Sequence, residues 1–230
     1  MKRLIALIAV IAIASIGSLS ATQTATSASP ISQQTVAAQP VTVRIQHTWK
    51  QWQGGALLDF KDESLGTIIA PDLIFTHNHF SQPVGRLPEE AFYFEDDWGR
   101  SIQWRPRDLR LTTINAGTML IRLPVGVFSG QASVVDRPTL RHLTVGTWLT
   151  THYWDSTAGQ VAQHSFQIIQ VKDGVAKLAD PDRLIKPGDS GGGAFFENRL
   201  IGNTWSIDTD GDGHVLGTFN IALVPFQVAN

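Results

Sequence analysis

From Val41 onward, apolar and polar residues alternate over short stretches that break at Gly, Pro, Asp or Asn. Runs rich in β-branched and aromatic residues occur at Thr67 to Ile69, Phe92 to Phe94, Ser101 to Trp104, Thr118 to Leu123, Thr147 to Tyr153, Ser165 to Val171, Gly193 to Phe196 and Val215 to Leu223. Many short runs with turn residues between them predict strands joined by tight connections, closed into a sandwich or barrels. Helical periodicity is nearly absent. One short terminal helix is predicted within Ile221 to Ala229, with Pro225 in its first turn. No internal repeat interrupts this pattern.

The first forty residues follow a different rule. Met1-Lys2-Arg3 is a basic start, Leu4 to Ile16 is uncharged and apolar, and Ser18-Leu19-Ser20-Ala21 offers small residues for a peptidase cut. The apolar run is short against the ~20 residues a spanning helix needs, so residues 1–21 read as a cleavable export signal. Residues 22–40 carry no charge and few large apolar groups, the composition of a flexible linker or pro-segment. The folded domain is expected over 41–230, outside the cell's cytoplasm.

Composition narrows the chemistry by exclusion. With 230 residues, 43% of them hydrophobic, the chain can bury one large core or two smaller ones. A net charge of −2 with no basic patch gives no bulk attraction to nucleic acid. There is no cysteine, which removes disulfide scaffolds, thiol catalysis and thiolate metal sites together.

Two stretches carry candidate chemistry. Residues 188 to 193 read Gly-Asp-Ser-Gly-Gly-Gly, and residues 73 to 80 read Leu-Ile-Phe-Thr-His-Asn-His-Phe. A serine boxed by glycines lets backbone N–H groups crowd a reacting carbonyl, and a histidine at a strand end can serve as general base. His77 and His79 compete for that role, since residues two apart on a strand face the same side.

The order of these motifs and their neighbours resembles the chymotrypsin-like (trypsin-like) serine protease family, over roughly residues 55 to 228. Leu73 to Phe80 lies over the family segment ending Thr-Ala-Ala-His-Cys, and Gly188 to Gly192 matches its Gly-Asp-Ser-Gly-Gly. Leu200 to Ser206 follows where the family has the strand walling its specificity pocket, and Val145 to Trp154 resembles the opening of its second barrel. The resemblance implies an all-β fold of two antiparallel six-stranded β-barrels, with a boundary near 125–145. It implies His79 as base, Ser190 as nucleophile, and the N–H groups of Gly188 and Ser190 as oxyanion hole. Asp189 would be an orienting residue. In animal members the equivalent aspartate pairs with a new N-terminal amine, and no Ile-Val-Gly-Gly-like segment occurs here to supply one.

The third catalytic residue is where the chain departs from the family. Gly117-Thr118-Met119-Leu120-Ile121-Arg122-Leu123 lies over Asp-Ile-Ala-Leu-Leu-Lys-Leu, which puts Gly117 at the acid position. Asn115 on a bulged strand, or Asp108 or Asp97 from a neighbouring strand, are the candidate surrogates. Without one, the chain is a Ser-His dyad or a protease fold that binds without cutting.

Counting back from Ser190 puts Leu184 at the floor of the substrate pocket, with Trp205, Ser206 and Ile207 along its wall, which suits an apolar or small side chain. Asp208 to Gly213 matches half a calcium loop, but Phe219 stands where the bidentate glutamate belongs, so a plain Asp-Gly turn and no metal are expected. The leading expectation is a secreted serine endopeptidase acting on polypeptides, with no cofactor, no nucleic acid and no membrane after signal cleavage. A silent protease-fold binding protein is the alternative, and a β-protein with a coincidental serine box is the third reading.

Overall fold

The structure is a computed structural model, described here for residues 41–80, 87–96 and 99–225. The signal and linker assigned from the sequence lie outside those residues.

The first sheet starts from a long hairpin, β1 (Thr42–Gln53) and β2 (Ala56–Ala70). On β1, Val43, Ile45, His47 and Trp49 point inward and alternate with partly exposed Arg44, Gln46, Thr48 and Lys50, the period of a strand with one buried face. Gly54 and Gly55 close the hairpin with φ of +60° and +84°, the two positive values a type I′ turn demands. The sheet continues through β3 (Leu73–Thr76), β4 (Ala91–Asp96), β5 (Ser101–Trp104), a 3-10 turn at Pro106–Asp108, β6 (Arg110–Asn115) and β7 (Thr118–Arg122). Its order is β5-β4-β1-β2-β3-β7-β6, all neighbours antiparallel. Val43, Ile45, Ile68, Ile74, Phe92, Phe94 and Ile121 form its core.

A connection holding the five-residue helix α1 (Arg137–Arg141) leads to the second sheet. Asp136 caps α1 by accepting from the Thr139 N–H at 2.9 Å, and Arg199 binds the same carboxylate at 2.8 Å. Strands β8 (Trp148–Asp155), β9 (Gln160–Lys172), β10 (Val175–Ala179), β11 (Gly193–Phe196), β12 (Arg199–Thr209) and β13 (Val215–Leu223) then close a barrel in the order β10-β13-β12-β11-β8-β9. Leu149, Phe166, Ile168, Leu178, Leu200, Phe219 and Ile221 fill it.

Two expectations are corrected. The all-β chymotrypsin-like architecture is present with one closed six-stranded barrel, but the first sheet has seven strands and no ladder joins its ends, β5 and β6, among the described residues. Each end strand is paired on one side only, β5 with β4 and β6 with β7, and half of its residues are exposed, so the outer edges do not meet among the described residues. The predicted terminal helix does not begin at Ile221. Ile221 is fully buried and pairs with both Ala176 and Thr204, so its backbone belongs to β13, while residues 226–230 lie outside the described residues.

Candidate active site

The two sheets meet where their catalytic-type segments end. Thr76, the last residue of β3, donates its hydroxyl to the Leu65 carbonyl at 2.6 Å and fixes the point at which the chain leaves for His77, Asn78 and His79. The loop before β11 approaches from the other sheet, and Leu65 N–H donates to the Ser190 carbonyl at 2.8 Å. Gly191 sits at φ +87°, and a Cβ there would lie 2.0 Å from the Leu65 oxygen and 2.2 Å from Thr76 Oγ1. Only glycine fits that crossing. The result is a hydrogen-bonded pair, His79 Nε2 and Ser190 Oγ, 3.1 Å apart.

The serine loop is held from inside. Asp189 is buried, its Oδ1 accepts the Trp154 N–H and its Oδ2 the Lys186 N–H, each at 2.7 Å. Burial pushes its carboxyl up to about 6, against the pull of those two donors. Gly188 takes φ +102°, and neither its N–H nor that of Ser190 donates to a backbone carbonyl among the described residues.

The two histidines of the motif are not equivalent. His77 is buried, its Nδ1 accepts the His79 N–H at 3.1 Å, and its ring packs 4.2 Å from the His79 ring. Burial, with a smaller contribution from His79, lowers it to about 3, so it stays neutral at ordinary pH. His79 is lowered by burial alone, and it is the ring that reaches Ser190.

Solved structures share this architecture. Two inactivated protease paralogues of the scabies mite match, SMIPP-S-I1 at TM-score 0.56 and 14% identity over 82% of this chain and 91% of that one, and SMIPP-S-D1 at 0.58 and 13% over 80% and 87%. HL collagenase matches at TM-score 0.60 and 14% identity, over 81% of this chain and 89% of its own. The fold is that of the chymotrypsin-like proteases. No protein-family model and no curated protein sequence matches the chain.

On the protease fold a carboxylate should face the far nitrogen of the base, and here none does among the described residues. No carboxylate of a described residue lies within 4.0 Å of His79 Nδ1. Gly117 lies against the second barrel, and a Cβ there would meet Ala222 Cβ at 2.7 Å and the Trp205 ring at 3.1 Å. Asn115 does stand at a bulge of the β6–β7 ladder, and its carbonyl accepts from Asn78 Nδ2 at 2.8 Å, one residue from His79. Its side-chain oxygen, however, accepts the Gly117 N–H at 2.8 Å and does not orient the imidazole. Asp108 is on the 3-10 turn with Arg107 as its neighbour, and Asp97 lies outside the described residues.

A cavity of 380 Å³ opens beside the pair, walled by His79, Ser190, Thr204, Trp205, Ser206 and Ile207, with Lys186 at its rim. Leu184 is not in that wall. Its N–H is taken by Asp180 Oδ1 at 3.0 Å and its side chain packs on the barrel core, so the counted position turns inward. Lys186 and Thr204 were missed, because counting along the loop ignores which residues its turn throws outward.

The calcium-like stretch divides between two roles. Asp208 is committed to β13, accepting from Thr218 Oγ1 at 2.5 Å and Asn220 Nδ2 at 3.0 Å and pairing with Lys177 at 2.9 Å. Asp210 closes an exposed turn by accepting the Asp212 and His214 N–H groups, and Asp210, Asp212 and His214 bring ligand atoms within 4.8 Å of one another. Among the described residues, no buried unpaired polar side chain belongs to that turn.

Proposed function

We propose that this chain is an exported peptide-binding protein on the chymotrypsin-like scaffold, in which the serine and histidine remain paired while no described residue supplies the carboxylate that speeds them. The observation carrying this reading is the packing at Gly117, where the acid position is filled by Ala222 and Trp205 instead of a side chain of its own. A peptide lying along the cleft would place its carbonyl at Ser190, with the Gly188 and Ser190 N–H groups as donors and Trp205, Ser206 and Ile207 receiving the preceding side chain.

Rate arithmetic favours binding over turnover. His79 can take the Ser190 proton, but among the described residues the imidazolium formed has no facing carboxylate to fix its tautomer or oppose its charge. That loss is worth ~10⁴ in kcat in enzymes of this design, which brings a typical ~10 s⁻¹ down to about 10⁻³ s⁻¹. A peptide bound for seconds leaves uncut.

The second reading, a working serine endopeptidase acting through a Ser190 acyl-enzyme, is favoured by the 3.1 Å contact between His79 and Ser190. Residues 1–21 as a signal and 22–40 as a linker support export. Among the described residues no helix is long and apolar enough to cross a membrane.

One pair of measurements separates the readings. A fluorophosphonate probe should label Ser190 slowly or not at all, while peptides from a random library bind the unlabelled protein. Labelling as fast as in ordinary serine proteases, lost in Ser190→Ala, would replace the binding protein with the endopeptidase.

A further inference from the structure

The cleft does not end at the serine loop. A second cavity, of 270 Å³, shares Lys186 and Pro187 with the first and reaches Gly188 and Asp189, so the two flank the loop that carries the nucleophile. The first borders β12, which on the peptide-binding reading receives the residues before the bond over Ser190. A peptide crossing the loop therefore enters the second with the residues that follow that bond.

The wall of this cavity carries two cations, Arg44 and Lys186, and two acids, Glu63 and Asp189. Arg44 lies over the Trp154 ring at 4.5 Å, and one of its guanidinium nitrogens binds Glu63 at 2.9 Å, which leaves the rest of its fork free to serve a second acceptor. Glu63 also takes Lys61 at 2.9 Å, so its single charge is divided between two cations. Lys186 is exposed and has no carboxylate partner among the described residues. The other acid here, Asp189, has both oxygens on backbone N–H groups. Ser64 pairs with Ile45 and so turns its side chain toward the first-sheet core, on the face opposite Arg44 and Glu63.

We propose that this second cavity holds an acidic side chain of the bound peptide, on the far side of the bond over Ser190, through Arg44 and Lys186. The carboxylate would take one oxygen to the free edge of the Arg44 fork and the other toward Lys186. The assignment rests on the peptide-binding reading and specifies what that cleft selects.

The test uses the full chain carrying Ser190→Ala, so that nothing is cut, and paired octapeptides that differ only by Glu against Gln at one position. A charge-assisted contact to Arg and Lys predicts that Glu peptides bind about tenfold or more tighter at a single position on the far side, with the preference shrinking as salt rises. Lys186→Gln and Arg44→Gln, each in the Ser190→Ala background, should each reduce that ratio. Lys186 is exposed, so its variant remains informative even if the Arg44 variant folds poorly. Equal binding of Glu and Gln peptides, or a preference on the Trp205 side, overturns the acidic subsite and leaves peptide binding intact. Failure of every octapeptide to bind overturns both.

Discussion

An aspartate placed at residue 117, where the family alignment asks for one, should damage this protein. A Cβ there would sit 2.7 Å from Ala222 Cβ and 3.1 Å from the Trp205 ring, inside the distance real Cβ atoms keep. The backbone cannot retreat, because Asn115 Oδ1 holds the Gly117 N–H at 2.8 Å and Asn203 Nδ2 holds its carbonyl at 3.0 Å. Overpacking of one carbon into such a site costs ~1–3 kcal/mol, before the carboxylate itself is desolvated. For a chain of this size that lowers Tm by roughly 2–12 °C. The displaced Trp205 also walls the cavity beside Ser190, so the injury reaches the cleft. Asn115→Asp is the contrasting change, since it keeps the shape and the acceptor for Gly117 and adds a charge one residue-contact away from His79. It should raise the rate of Ser190 labelling by a fluorophosphonate tenfold or more, which is about 1.4 kcal/mol of barrier, against the ~10⁴ a full carboxylate can supply. Thermal melts and labelling rates on both variants decide the matter. A Gly117→Asp protein that melts normally and labels faster would refute the packing argument.

Ser190→Ala should abolish all labelling while shifting Tm little, because the residue is only half-buried and its hydroxyl contacts His79 alone; residual labelling would mean another nucleophile. His79→Ala should silence the site without unfolding it, whereas His77→Ala should mainly lower Tm, since His77 is the buried ring on which His79 rests; equal kinetic loss with unchanged melts would contradict this division. Stability should fall from about pH 6.5 toward pH 4. His152, buried and hydrogen-bonded to Thr42 at 2.6 Å, is lowered by burial to about 4, and His77 to about 3, so the unfolded chain takes up protons that the fold refuses. His152 alone is worth on the order of 3 kcal/mol across that window. Asp189, raised to about 6, acts in the opposite sense, stabilising fully below about pH 3.8 and losing that contribution as pH rises through 6, but it stands against two histidines. Denaturant melts at pH 7.5, 5.5 and 4 test the net slope, and a flat profile would count against it.

The sequence made the serine loop and the histidine strand legible because each is a local device. Gly191 has to be glycine at the Leu65 crossing, and Thr76 has to end β3, so both leave fixed letters in the chain. The long hairpin was not legible. Its outer half, Gln51 to Asp59, is exposed on both faces, so no burial enforces alternation there and only its Gly54-Gly55 turn marks it. Barrel closure likewise depends on how β5 and β6 end relative to each other, a nonlocal matter that strand composition does not encode. The pocket failed at Leu184 for a related reason, because Asp180 captures the Leu184 and Ile185 N–H groups and rotates that stretch toward the core. Asn115 was legible as a bulge candidate, but the direction of its amide is set by the Gly117 N–H, a contact two residues away that spacing alone does not choose.

The grip of Trp154 and Lys186 on Asp189 has a practical reach beyond the cleft. A loop locked by its own barrel does not consult the front of the chain, so a tag, a surface tether or a fused carrier ahead of Val41 should leave the serine loop in the same shape. Such a domain can be displayed, immobilised or concatenated with its cleft already set. Any control over what occupies the cleft must then act at its mouth, through what is allowed to reach it.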